Sequence, residues 1–118
     1  MKTKSIFIII GLLFTTMSFI AQNSKSVITQ TLNVRGNCGR CKERIESAVD
    51  IKGVKYAEWN KKTQVLTITY KPSVISIEEI KTKILNVGHD VDTLKANNSV
   101  YDKLPDCCKY KYRDVKPH

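Results

Sequence analysis

No run of residues in this chain reads as a phosphate-binding glycine loop, and no Ser/His/Asp set or paired-carboxylate site stands out. With only five glycines and two histidines in 118 residues, the usual sequence signs of nucleotide chemistry, acyl transfer and acid–base hydrolysis are missing. No internal repeat is visible, which excludes solenoid and propeller architectures. Cysteine is absent from the first 21 residues, so a lipid anchor built on an N-terminal cysteine of the processed chain is excluded. Acidic residues are also short: Asp and Glu number 11 against 20 Lys and Arg.

What is present begins with a leader. Met1-Lys2-Thr3-Lys4 is basic, and Ser5 to Ala21 carries no charge and includes Ile6-Phe7-Ile8-Ile9-Ile10. This pattern predicts a secretory signal peptide over residues 1–21, with cleavage after Ser18 or Ala21; the other reading is an uncleaved membrane anchor. The remaining stretch of about 97 residues suffices for one small domain. Setting aside Lys2 and Lys4 leaves 18 basic residues against 11 acidic ones, a net charge of +7. The basic residues are scattered, apart from Lys109-Tyr110-Lys111-Tyr112-Arg113. Scattered charge describes a solvated surface, and an exported protein is not expected to meet nucleic acid.

All four cysteines lie beyond the leader, as Cys38, Cys41, Cys107 and Cys108. An even count in an exported protein suggests disulfides. Here the spacings argue for chemistry instead, because a bond within either close pair braces almost nothing. Cys38-Gly39-Arg40-Cys41 lets two sulfurs face one point, which serves soft-metal binding, structural zinc or thiol redox chemistry.

The flanking pattern supplies the fold. Val27 to Val34 is rich in β-branched residues, with Ile28, Gln30, Leu32 and Val34 on one face, and predicts a strand. Cys41, Ile45, Ala48 and Val49 form a helical apolar stripe that Gly53 closes. Val54–Asn60 and Val65–Tyr70 read as strands joined by a polar turn, and Pro72 ends the second. Ser76-Ile77-Glu78-Glu79 has the form of a capping box, Ile77, Ile80, Ile84 and Val87 carry the next stripe, and Gly88 stops that helix. His89 to Leu94 reads as a fourth, shorter strand. The order βαββαβ predicts an α+β, ferredoxin-like sandwich: a four-stranded antiparallel sheet with both helices on one face. Residues 22–96 form this domain and residues 97–118 a C-terminal tail carrying Cys107 and Cys108. In the tail, Tyr101, Tyr110 and Tyr112 are candidates to pack against the domain. Trp59 and Tyr70 read as core or sheet-face residues, and terminal His118 is given no role.

With these motifs in order, the chain from Val27 to Leu94 resembles the heavy-metal-associated domain family, which includes copper chaperones, domains of copper-transporting ATPases and the periplasmic mercury-binding protein. The resemblance rests on the Cys-x-x-Cys after strand one, Ile45-Glu46-Ser47-Ala48-Val49, Gly53-Val54, Val65-Leu66-Thr67-Ile68-Thr69-Tyr70 and Val87-Gly88-His89-Asp90-Val91. The leader and the Leu104-Pro105-Asp106-Cys107-Cys108 tail resemble the exported form found in Bacteroidota-type bacteria. One departure is plain: the family has Gly-Met-x-Cys-x-x-Cys, whereas Gly36-Asn37-Cys38 is one residue shorter and lacks the Met.

The resemblance implies a metal site at Cys38 and Cys41. Soft thiolates select Cu(I), and also bind Zn(II) or Hg(II). A helix N-terminus behind the cysteines, with Arg40 and Lys42 close by, is expected to lower both thiol pKa values. The family position of His89, just after the Gly, packs near the metal, so His89 reads either as a third ligand or tuning group, or as a strand-start residue without a role. Cys107 and Cys108 read as a second soft-metal site on a mobile tail, a flap over the first site, a redox pair, or structural thiols; joint chelation by these neighbours needs a turn, which Pro105 favours.

The leading reading is an exported, non-enzymatic carrier or sequesterer of Cu(I), passing the ion by ligand exchange to another metal-binding protein or a metal-transporting membrane protein. The alternatives are a periplasmic thiol–disulfide oxidoreductase using Cys38 and Cys41, a zinc module using all four cysteines, and a metal-sensing domain for a membrane transporter. The oxidoreductase has no aromatic residue before Cys38 and no thioredoxin element order to support it.

Overall fold

The computed structural model of the protein describes residues 26–111. The predicted leader, Tyr112, Arg113 and His118 lie outside the described residues. The elements of the described residues are β1 (Ile28–Asn33), α1 (Gly39–Ala48), β2 (Val54–Asn60), β3 (Val65–Tyr70), α2 (Ile77–Asn86), α3 (Asn98–Tyr101) and a 3-10 turn (Asp106–Cys108). The strands form an antiparallel sheet in the order β1-β3-β2, with Leu32 opposite Leu66 and Trp59 opposite Leu66 from the other side.

Alternation does the sorting. Leu66, Ile68 and Tyr70 of β3 are buried while Val65, Thr67 and Thr69 are only partly covered, so one face of the central strand meets the core. Leu32 and Val34 extend that face across β1, whereas Ile28 at the strand's start is exposed. The expected helical stripes match at their centres: Cys41, Ile45 and Val49 are fully buried, as are Ile80 and Ile84, and all join one apolar cluster with the sheet residues, while Ala48, Ile77 and Val87 are only partly buried. Each such aliphatic side chain contributes about 2 kcal/mol by leaving water. Ser76 caps α2, its hydroxyl accepting from the Glu79 N–H at 3.1 Å. Gly88 ends it at φ +99°, a conformation that costs a side-chained residue heavily. A Cβ on Gly88 would also press against Leu104 at 3.1 Å, so the glycine makes room for the C-terminal segment.

The fourth strand is corrected. Residues 89–94 make only isolated bridges, Val34 to Val91 and Val91 to Leu94. The chain starts along the β1 side, with the Arg35 N–H donating to the Asp90 carbonyl at 3.0 Å. It then turns away at Asp92, which takes φ +50°. Mutual Val91–Leu94 backbone hydrogen bonds close a tight turn. The Asp92 side chain, not a continuing strand, accepts from the Asn33 N–H at 3.0 Å. Asp is among the few residues that tolerate this left-handed geometry, and its short carboxylate substitutes for a ladder partner.

The segment after the domain is a folded strap. Tyr101, Leu104, Cys108 and Tyr110 are buried in the same cluster as the two main helices. The Tyr110 ring lies 5.6 Å from His89 in a stacked pair and 5.2 Å edge-on to Tyr101, with the Arg35 guanidinium 5.1 Å over it. Its hydroxyl accepts from the Asp90 N–H and donates to the Gly88 carbonyl, both at 2.9 Å. The expected packing role of Tyr101 and Tyr110 is thus what the strap shows. Among the described residues no helix is long and apolar enough to cross a membrane.

Candidate metal centre

The site is built where β1 gives way to α1. Cys38 is the N-cap of α1, in extended conformation at φ −150°, and no side chain caps the helix there. Cys41, one turn on, belongs to the buried stripe of the same helix. Their sulfurs lie 3.3 Å apart. Beneath them Gly36 permits a close approach: a Cβ there would stand 3.0 Å from the Cys41 Cβ and from the Trp59 ring. Trp59 is itself fixed, its indole N–H donating to the Val34 carbonyl at 2.9 Å. In a loop without the family's Met, an indole fills the space under the cysteines.

The strap brings a third sulfur. Pro105 leads into the 3-10 turn, and the turn places the Cys108 Sγ 3.2 Å from the Cys38 Sγ across 70 residues of sequence. Cys38, Cys41 and Cys108 have all their sulfurs within 4.8 Å of one another. Cys107 is outside that trio, half-buried, with its sulfur 3.8 Å from that of Cys108. The turn that joint chelation by the two neighbours required is present, yet only Cys108 enters the trio.

Three thiols at this distance cannot be alike. Burial pushes the Cys38 thiol up, but hydrogen bonding from the Cys108 thiol, the Cys41 N–H, the Cys41 thiol and the Arg40 N–H outweighs it and brings Cys38 down from 9.0 to about 7. Cys41 moves the other way: burial raises it, against the hydrogen bond from the Asn37 backbone. Cys108 is raised well above the ordinary thiol range, first by burial and then by the two neighbouring sulfurs, while Arg44 pulls it down. The expectation that both cysteines of the pair are acidified therefore holds for Cys38 and fails for Cys41. Of the side chains expected to help, Lys42 is engaged elsewhere: it pairs with Glu46 and donates to the Trp59 carbonyl at 3.2 Å. Helix amides and a neighbouring thiol acidify Cys38. Arg44 is a cation beside the site that the sequence reading did not single out.

His89 sits behind the loop and outside the sulfur trio. It is fully buried, with Nδ1 2.7 Å from the Arg35 carbonyl. A carbonyl only accepts, so Nδ1 carries the proton and Nε2 is left with a bare lone pair, buried without a partner among the described residues. Burial lowers its pKa from 6.5 to about 4, so the ring is neutral at pH 7. Its contacts brace the chain at Arg35, the residue before Gly36.

Residues 31–90 match the model of the heavy-metal-associated domain. The chain belongs to the heavy-metal-associated domain family. It is 38% identical over 64 residues to the copper chaperone CopZ of Staphylococcus aureus, a match spanning 52% of this chain and 94% of that protein. It is 30% identical over 82 residues to a copper-exporting P-type ATPase of Staphylococcus epidermidis, covering 68% of this chain but 10% of the ATPase. A solved CopZ metallochaperone structure superposes with a TM-score of 0.53 at 34% identity, over 55% of this chain and all of that one. Oxidized MerP from Ralstonia metallidurans CH34 shares the fold, with a TM-score of 0.54 at 20% identity, over 57% of this chain and 96% of its own length. The ferredoxin-like α+β class is thereby established, with three strands in the sheet where four were expected. The chain is a copper-chaperone-like domain with a cysteine cluster, and the relatives it matches over nearly their whole length are copper chaperones, which are metal carriers and not enzymes. Nothing in these likenesses supports the oxidoreductase alternative.

Proposed function

We propose that this protein is an exported carrier of Cu(I), holding the ion through Cys38 and Cys41 and releasing it by ligand exchange to a metal-transporting membrane protein or a second metal-binding protein. The observation that carries the reading is the Cys38–Cys41 sulfur pair, 3.3 Å apart at the N-terminal end of α1, in a domain whose relatives are copper chaperones. Thiolates are soft donors and Cu(I) is a soft ion; Zn(II) and Hg(II) are the ions it must be selected against. Cys38, half-buried and with its pKa lowered to about 7, is the sulfur available first to an arriving ion. Cys41, buried and held at the helix, closes the pair from below. Export is supported by the leader pattern of residues 1–21.

The test is anaerobic Cu(I) titration of the reduced protein against a chromogenic Cu(I) chelator. The wild type is expected to withdraw copper from the chelator, and Cys38→Ser and Cys41→Ser are expected not to. A wild type that fails to compete, or a Cys38→Ser variant that competes equally well, defeats the proposal.

A further inference from the structure

Resting on that reading, we propose that the site is a three-thiolate centre in which Cys108 of the C-terminal strap is the third ligand to Cu(I), served by two side chains already arranged for an anionic sulfur cluster, Asn37 and Arg44.

The first support is placement. The Cys108 Sγ lies 3.2 Å from that of Cys38, as close as Cys41 is, and the three sulfurs fall within one coordination sphere. Cys108 is no passing tail residue. It is fully buried, and it sits in a turn closed by its own N–H donating to the Pro105 carbonyl at 2.8 Å. Leu104 on one side and Tyr110 on the other anchor that turn in the core.

The second support is what surrounds the sulfurs. Asn37 is buried to 1% exposure. Its Oδ1 accepts from the Cys41 thiol at 3.4 Å, and its Nδ2 has no partner among the described residues. A buried amide donor left unpaired is costly. Once Cys41 gives up its proton the sulfur becomes an acceptor; turning the carboxamide over then gives Nδ2 that sulfur as its partner. Arg44 shows the same preparation. One of its guanidinium nitrogens, Nη1, is buried with no partner among the described residues, and Arg44 stands one turn beyond Cys41 on the same helix. Three thiolates around Cu(I) carry a net charge of −2. A buried charge of that size needs an adjacent cation, and Arg44 supplies one.

On binding, each Cu–S bond replaces a thiol proton, which leaves to solvent; copper remains Cu(I) and no sulfur is oxidised. Release then requires Cys108 to be exchanged for a sulfur of the acceptor. The strap thus sets how tightly the ion is retained.

Copper-edge X-ray absorption on the reduced, anaerobic protein loaded with an equimolar amount of Cu(I) counts the sulfurs directly. Three sulfurs are expected in the wild type and in Cys107→Ser, and two in Cys108→Ser. Competition titration should show Cys108→Ser weakened by at least about tenfold, since loss of outer-shell partners alone typically costs 10–100-fold. Arg44→Gln should keep three sulfurs and bind more weakly. Two sulfurs in the wild type, or three retained in Cys108→Ser, overturns the proposal while leaving the carrier reading intact. A wild type that takes up no Cu(I) overturns the carrier reading itself. The wild-type sulfur count decides the matter even if Cys108→Ser fails to fold.

Discussion

Removing a single oxygen, with Tyr110→Phe, should free the strap and with it Cys108. The ring contacts with His89, Tyr101 and Arg35 survive that change. What is lost is a buried hydroxyl that makes two hydrogen bonds of 2.9 Å, accepting from the Asp90 N–H and donating to the Gly88 carbonyl. Neither backbone group gains a new partner from phenylalanine. An unsatisfied buried donor or acceptor costs about 1–3 kcal/mol, so the two together cost about 2–4 kcal/mol after some relaxation. The penalty falls on the docked state alone, because an undocked strap hydrates both groups. At tenfold per 1.4 kcal/mol, the population of the open strap rises about 30- to 700-fold. Alkylation of Cys108, followed residue by residue by mass spectrometry under native conditions, reads that population, since the buried thiol reacts only when the strap lifts. A comparable acceleration is expected, with a much smaller change at Cys38, which is already half-exposed with the strap docked. An unchanged rate at Cys108 refutes the view that Tyr110 holds the strap down.

Other outcomes follow from the same structure. His89 stays neutral down to about pH 4 in the folded protein but protonates near 6.5 when unfolded, so between those values the unfolded state binds more protons. Stability should therefore fall as pH drops through 6.5 toward 4, by about 3 kcal/mol in all, and a denaturation series across that range in wild type and His89→Asn checks it; equal pH dependence in both rules the histidine out. Alkylation of Cys38 should show a midpoint near pH 7 that moves up in Cys108→Ala, because the thiol that hydrogen-bonds the thiolate is gone; a midpoint in the ordinary cysteine range contradicts this.

Local patterns in the chain were enough to place most of the domain. The Cys41, Ile45 and Val49 stripe, the Ser76 cap and the Gly88 stop each have a short-range physical cause, and all three stand where spacing put them. The fourth strand was misjudged because alternation in His89 to Leu94 says nothing of backbone handedness at Asp92, which turns the chain aside. Cys108 was a candidate, but its contact with Cys38 bridges 70 positions and depends on Leu104 and Tyr110 finding the core. No periodic signal reports such packing. Arg44 and Asn37 were invisible for a related reason. Their importance lies in buried atoms without partners, which exist only once the fold has removed water from around them.

The most direct test of the central claim is amide NMR of the reduced, isotope-labelled protein during Cu(I) addition. Saturation is expected at an equimolar ratio, with the largest changes in Gly36–Lys42 and Asp106–Cys108 and, in the β2–β3 hairpin, at Trp59 beneath the cysteines only. Copper-induced changes centred away from Cys38 and Cys41, or none at all, would contradict it.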